Sequence, residues 1–281
     1  MPELPEAEAS RRLLERVLAG KTIIKAHIAP DDIVLSGAPA AGVEAMAAGA
    51  VVESVGRRGK YMWLNLKDRG TLGLHLGMSG SIIDLSQGAN AAVNYRQNKG
   101  GGTGEDGLPK YIKLHLITAD SAICMVDPRR LARIWTADSP ETDSRMAKLG
   151  PDAWLDLPKP ADFHKLLSRR KTPIKALLLD QSFLAGIGNW VADEVLYHGG
   201  IAPARLANSL DAKESGSLHK AIKEVLDLAV KANADHTKFP PGWMFHHRWG
   251  GGRGADLIEG QTVIRETIGG RTTAWVPSRQ K

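Results

Sequence analysis

The chain opens Met1-Pro2-Glu3, which places a secondary amine beside a carboxylate once the initiator methionine is gone. Removal of Met1 is expected because the next residue is small. The freed ring nitrogen of Pro2 can attack an aldehyde or a sugar anomeric carbon and give an iminium, by the logic of a Schiff-base lysine. That product is cationic at nitrogen with no N–H left to lose, so it is a good electron sink. Glu3 adjoins it as a general acid or base. A helix beginning directly afterwards would disfavour the protonated amine and keep it nucleophilic. Three residues alone need carry no chemistry, since many chains begin Met-Pro.

Four further constellations carry charge or shape. GRRGKYMWLNL, 56–66, brings Arg57, Arg58 and Lys60 into a strand, with the Lys60 ammonium available to a phosphate or a proton transfer. HLGMSG, 75–80, sets Met78 in a glycine-flanked turn, and DPRRLARIW, 127–135, places Arg129, Arg130 and Arg133 after a strand. Met78 reads either as core packing or as an apolar wedge for a base stack, with an arginine replacing a lost pairing partner. Gly186-Ile187-Gly188-Asn189 allows close backbone approach to an anion, and Lys175 upstream could reach the same phosphate. Arg271 follows Gly269-Gly270 at or near a hairpin tip, where it could insert between phosphates. The bland readings remain open for each: a solvated basic turn, a helix–helix turn, an exposed polar tip.

Composition limits the function classes. The 281 residues are 43% hydrophobic and 24% charged, which fits a folded chain of two domains or one large one. Lys and Arg number 37 against 31 acidic residues, a net charge of +6, which leans toward a polyanionic partner. A single cysteine, Cys124, excludes an intramolecular disulfide and a zinc site of several thiolates, and fits a reducing compartment. No apolar run reaches membrane-spanning length, and MPELPEAEAS lacks the basic and apolar regions of a signal peptide.

The elements that must position these groups follow from periodicity. Pro5, Glu6 and Glu8 favour a helix start, Leu13, Leu14, Val17 and Leu18 make its apolar face, and Gly20 stops it. From 22 to about 137 the period becomes two: TIIKAHIA, YMWLNLK, TLGLHLGMSGSIIDL, YIKLHLITA and AICMV read as successive strands of a β-sandwich or barrel. The glycine-rich stretch 86–109 reads as a long mobile loop, and 136–160 as a linker. Beyond it, Thr172 and Pro173 precede a helix IKALLLDQSFLA, Asn189 caps WVADEVLYH, and a third helix near 211–232 carries the stripe Leu218, Ile222, Val225, Leu226 and Ala229. QTVIRETI, Gly269-Gly270 and RTTAWVP make a hairpin. There is no internal repeat.

Met-Pro-Glu-Leu-Pro-Glu, GRRGKY, HLGMSG, DPRR and LLLDQSFLAGIGNWVADEVLY together, in this order, resemble the formamidopyrimidine-DNA glycosylase (Fpg/Nei) family over residues 1–276. The resemblance implies an α+β protein: an N-terminal β-sandwich with a leading helix, then a helical domain with a helix-two-turn-helix and a β-hairpin finger. Expected boundaries are 1–137, a linker 138–160, and 161–281, the finger occupying about 243–281. It implies a bifunctional DNA glycosylase and abasic-site lyase of base excision repair. Pro2 would attack C1′, Glu3 would protonate the sugar ring oxygen, and Glu6 would support the site. Lys60 would assist elimination at the adjoining phosphate, and Arg271 the second elimination. His75, Lys175 and Asn189 would contact the DNA backbone, and Met78, Arg129 and Leu131 the void left by the flipped nucleotide.

The chain departs from the family pattern in three places. The finger lacks the four cysteines of a zinc finger, and GGRTTAWVP after PPGWMFHHRWG resembles the zincless branch. His246 and His247 are too few ligands for a metal site, so no metal or cofactor is expected. Leu131 stands where phenylalanine is usual, which implies a changed opposite-base preference or a weaker lesion search. Lys110, Tyr111 and Lys113 occupy a region where the family often has a DNA-contacting histidine. Oxidised purines such as 8-oxoguanine and formamidopyrimidines, and possible hydantoins, are the expected substrates. An enzyme preferring oxidised pyrimidines, or a non-catalytic damage binder, is the alternative. The base-capping loop falls near 233–245. The partner is damaged double-stranded DNA, with no membrane. The chain is expected to be monomeric and intracellular, in the cytoplasm or nucleoid of a bacterium or the nucleus of a eukaryote.

Overall fold

A computed structural model describes residues 2–87, 102–250 and 256–281, which fall into two compact units, 1–148 and 149–281. Met1 and most of the 86–109 loop lie outside the described residues, so the expectations placed on them are not addressed. The described end of that loop carries a short bridge between Thr103 and Pro109.

The first unit starts with helix α1, Leu4–Leu18, with a proline in its first turn and a reciprocal cap between Glu3 and Glu6. Leu13, Leu14, Val17 and Leu18 are buried, as the apolar stripe requires. Gly20, at φ 77°, takes the chain out of the helix. Two four-stranded antiparallel sheets follow. One orders β1 (Lys25–Ile28), β6 (Ile112–Ile117), β7 (Ala122–Val126) and β5 (Ser81–Asp84). The other orders β2 (Val52–Arg58), β3 (Tyr61–Leu66), β4 (Gly70–His75) and β8 (Arg133–Ala137). Inward residues of both sheets, among them Leu64, Leu72, Leu74, Ile134, Leu114, Leu116 and Met125, share one core with the α1 stripe. This is the expected sandwich.

Three elements here were not legible from period two. Helix α2, Ala40–Ala47, buries only Val43 and Ala47, so its stripe is too thin to register. In β2 the alternation is broken by Arg57, which is buried because it has a partner, and by Gly56, where a Cβ would lie 2.3 Å from the Trp63 ring. The expected linker overlaps the end of β8, whose Trp135 packs over Gly73, where a Cβ would lie 2.1 Å from the indole. In each pair the glycine's missing side chain is the seat for a cross-strand tryptophan.

The second unit contains α3 (Pro160–Ser168), α4 (Ile174–Leu179), α5 (Asn189–Gly199), α6 (Ala212–Lys231) and the short α7 (Met244–His247). Helix α6 buries the expected stripe and is capped by Asp211 and Glu214. Helix α4 is half the expected length. The Asp180 carboxylate accepts the Ser182 N–H at 2.9 Å, and the Gln181 amide donates to the carbonyls of Leu179 and Ile187, so the chain turns there. Thr172 does not cap α4, whose preceding residue is Pro173, and Gly188 rather than Asn189 precedes α5. The tail forms a small pair, β9 (Leu257–Ile258) with β10 (Gln261–Thr262), and the expected hairpin, β11 (Ile264–Ile268) with β12 (Arg271–Trp275). Gly269 and Gly270 make its turn at φ 59° and 71°, the conformation a two-residue hairpin turn of this twist requires. Among the described residues no helix is long and apolar enough to cross a membrane.

Candidate active site and nucleic-acid interface

In the first unit the candidate residues are held by a buried cap hydrogen bond and a buried ion pair. The Glu3 N–H donates to the Glu6 carboxylate at 2.9 Å, so both acids and Pro2 are fixed at the start of α1. Pro2, Glu3 and Glu6 are all buried there. One turn on, Glu8 accepts from Arg57 at 3.0 Å, a pair almost wholly out of solvent. Burial alone would raise the Glu8 pKa, but its bonds to Arg11 and Arg57 outweigh that and hold the carboxyl below its usual range. Arg57 also donates to the Gly59 carbonyl at 2.8 Å. Gly59, at φ 58°, opens the two-residue turn in which Lys60 sits between β2 and β3. The relay Glu8–Arg57–Gly59 therefore ties the tip bearing Lys60 to the helix whose start bears Pro2, Glu3 and Glu6.

His75 lies close to this tip. It pairs with Tyr61 across β3 and β4, their rings 4.7 Å apart. Its Nδ1 accepts the Gly77 N–H at 3.2 Å. Burial, then the nearby charges of Lys60 and Arg133, push its pKa down to about 4. The imidazole is neutral at physiological pH, so against a phosphate it is an N–H donor and not a cation.

The residues expected at the void are gathered by one carboxylate that sequence reasoning passed over. Asp127 is fully buried. Its Oδ2 accepts the N–H groups of Leu131 and Ala132, both at 2.6 Å. Its Oδ1 accepts the Arg129 N–H at 3.1 Å and the Ser79 hydroxyl at 2.5 Å. One side chain thus shapes the Arg129–Leu131 loop and locks it to the turn that presents Met78. Gly77, at φ 60°, completes the lock: a Cβ there would lie 2.3 Å from the Leu131 carbonyl oxygen. Met78 is 37% exposed and Arg129 is exposed, Leu131 less so. Arg130 is left-handed at φ 58° and paired through two bonds with Asp31, which also takes Lys113. The Arg130 bond, then that from Lys113, hold the Asp31 carboxyl well below the usual range despite burial. Arg130 and Lys113 therefore secure the loop. The signal for Asp127 was present in the sequence: an aspartate followed by proline and a run of backbone N–H groups is a turn-forming arrangement.

In the second unit Lys175, Asn189 and Arg271 come together. The Lys175 side chain is wholly buried in an ion pair with Asp193, and its Nζ donates to the Asn189 carbonyl at 3.0 Å. Its ammonium therefore serves the start of α5 and not a surface position. The Asn189 amide donates to the Thr272 carbonyl at 2.8 Å, next to the exposed Arg271. Gly269 seats the hairpin turn on α4, with a Cβ there 2.8 Å from that of Ala176. The root of the hairpin is tied to α5. Asp193 also takes Arg248 at 2.7 Å, and Glu194 accepts the N–H groups of Met244 and Phe245 at 3.0 and 2.7 Å. Arg265 of β11 donates to the carbonyls of Arg248 and His247.

His246 and His247 engage the carbonyls of Phe239 and Pro241. The Cys124 thiol is buried, and burial pushes its pKa up to about 12. Among the described residues no three His, Cys, Asp or Glu side chains converge as a metal site. The segment near 233–245 is folded against α5, with the Phe239 ring in contact with those of Trp190, Trp243 and Phe245 and the Phe245 ring also against Trp190.

Residues 1–134 match the formamidopyrimidine-DNA glycosylase N-terminal domain, and residues 149–240 match the formamidopyrimidine-DNA glycosylase H2TH domain. The whole chain is 37% identical over 282 residues to a formamidopyrimidine-DNA glycosylase of Arabidopsis thaliana, covering 71% of that protein. It is 33% identical over 298 residues to one of Heliobacterium modesticaldum, with both chains fully covered. A Lactococcus lactis Fpg variant solved with Fapy-dG-containing DNA superposes with a TM-score of 0.80 at 25% identity, again over the full length of both chains.

Replacing Asp127 with asparagine removes an acceptor that the Arg129–Leu131 loop needs. We expect about 1–3 kcal/mol of lost stability and at least tenfold faster exchange of the Leu131 and Ala132 amide protons. Unchanged exchange would remove Asp127 from its organising role. For His75, an NMR titration should show its midpoint near 4 and no second midpoint between pH 5 and 8. The unfolded chain takes up this proton near 6.5, so the stability linked to His75 is present above 6.5 and declines toward pH 4.

Proposed function

The chain belongs to the formamidopyrimidine-DNA glycosylase family, and on that footing we propose the residue roles and substrate class that follow. It is a DNA glycosylase and abasic-site lyase of base excision repair. The observation that carries our reading is the start of α1, where Pro2 and Glu3 precede the helix directly and the Glu3–Glu6 cap holds them in place.

With Met1 removed, the Pro2 nitrogen attacks C1′ of the damaged nucleotide, and the base departs with the electrons of the glycosidic bond. Glu3 protonates the ring oxygen as its bond to C1′ breaks, leaving an iminium between Pro2 and the opened sugar. Glu6 holds Glu3. The iminium acidifies the C2′ hydrogen, and its loss expels the 3′ phosphate. The second elimination expels the 5′ phosphate, and water then hydrolyses the iminium to release the sugar fragment as an aldehyde and free Pro2. Lys60 neutralises the phosphate beside the lesion, and Arg271 grips phosphate from the hairpin. His75 donates a neutral hydrogen bond to the backbone. Asn189 contacts the backbone at the start of α5, and Lys175 acts through the Asn189 carbonyl. Met78, Arg129 and Leu131 enter the space left by the flipped nucleotide, offsetting part of an unstacking cost of a few kcal/mol.

We read the lesions as oxidised purines, formamidopyrimidines and 8-oxoguanine, on damaged duplex DNA. We read the finger as metal-free, held by Asp193, Glu194 and Arg265, and the protein as a monomer acting inside the cell wherever its DNA lies.

Borohydride reduction during incubation with a formamidopyrimidine duplex tests this. A covalent protein–DNA band is expected, absent when Met1 is retained, undiminished by a metal chelator, and weakening steeply with added salt as phosphate contacts release counterions. Tight binding with no covalent band would make the protein a damage binder, and a flat salt response would overturn the backbone contacts.

A further inference from the structure

Tyr111 is held in a conformation that its own side chain does not favour. Its φ is 62°, in the left-handed region that a bulky residue enters only under strain. Its side chain is 51% exposed, so burial of the ring does not compensate. The backbone around it holds it there. Its carbonyl accepts the Asp127 N–H at 3.0 Å, the preceding Lys110 N–H donates to Gly102, and Thr103 bridges to Pro109. Immediately afterwards the pairing of β6 with β7 slips between Ile112 and Leu114, an irregularity of the kind that redirects a neighbouring side chain.

Asp127 places this tyrosine in the cluster already described. Its backbone N–H binds Tyr111, while its carboxylate binds the Met78 turn through Ser79 and the Arg129–Leu131 loop directly. Three turns, 76–80, 102–111 and 127–132, thus converge on one residue. Tyr111 is the single aromatic residue in all three. The void-filling trio of methionine, arginine and leucine carries no aromatic ring. Exposed cationic side chains, Lys110 and Arg129, stand on the same turns. Exposed aromatic rings on a surface that also carries cations are the means by which proteins stack on nucleobases while tracking a phosphate backbone.

We propose that Tyr111 is a DNA-binding residue whose phenol ring stacks on the face of a base beside the lesion. This rests on the DNA glycosylase reading. The ring is presented by the strained backbone, and Asp127 fixes its position relative to Met78 and Arg129.

The test measures affinity for a duplex carrying an abasic-site analogue, together with thermal melting, for the wild-type protein and for Tyr111→Phe, Tyr111→Leu and Tyr111→Gly. Phenylalanine keeps the ring and should stay within about twofold of wild type. Leucine keeps bulk without a π face, and glycine removes the side chain. Both should bind about five- to hundredfold more weakly, the range for loss of one base stack. Glycine tolerates φ 62°, so Tyr111→Gly should melt at or above the wild-type temperature while losing affinity. A purely structural tyrosine would not give stability and binding that move apart in this way. Leucine and glycine variants that bind within twofold of wild type would overturn the proposal. A wild-type protein that shows no preference for the lesion duplex would instead overturn the glycosylase reading.

Discussion

The hydrogen bond from the Glu3 N–H to the Glu6 carboxylate is local and buried, and the proposed chemistry depends on it. It ends α1 at residue 3, which leaves the Pro2 nitrogen one residue from the open end of a helix. There the proposed nucleophile lies beside the capping carboxylates Glu3 and Glu6. A carboxylate in the cap also serves two purposes, since it satisfies backbone donors and remains next to the reacting atoms. Glu8, two residues beyond Glu6, carries the constraint outward to Arg57 and Gly59, and so to Lys60.

Buried carboxylates recur as the devices that position loops. Asp127 holds the Arg129–Leu131 loop and the Met78 turn, and Asp31 restrains the same loop through Arg130 and Lys113. Asp193 joins Lys175 of α4 to Arg248 at the root of the hairpin. Glu194 accepts two backbone N–H groups of the segment leading to it, and burial raises its pKa against the opposing bonds from His198, Phe245 and Met244. Taking such groups out of water is costly, and it is repaid only where every lone pair finds a partner. The return is geometric: a loop bonded to one carboxylate through several N–H groups has few alternative conformations. In the second unit this network, with the aromatic contacts of Trp190, Phe239, Trp243 and Phe245, holds the hairpin root through ordinary side chains.

Much of the architecture was legible because its signals are local. The α1 stripe, the long strands and the α6 stripe follow from periodicity, and Gly269-Gly270 from the φ values its turn demands. What escaped depends on partners distant in sequence. Arg57 reads as a surface cation until Glu8 is seen 49 residues away. Gly56 and Gly73 carry no packing signal until the tryptophans that cover them are placed. Helix α4 stops at Leu179 because of turn chemistry at Asp180 and Gln181, although the apolar pattern runs on. Of the site, the candidate residues Pro2, Glu3, Lys60 and His75 lie in compact motifs, so they are proposed from the sequence alone. Asp127 announces only a turn, and Asp193 and Glu194 announce nothing, because a positioning role appears only when the segments they gather are folded together.

The account stands most directly on which atom becomes joined to the sugar. Peptide-mapping mass spectrometry of the borohydride-reduced complex would locate that bond. The account predicts that the added deoxyribose mass resides on the amino-terminal peptide, at the Pro2 nitrogen. A map that places the mass on a lysine side chain, with Pro2 unmodified, would contradict it.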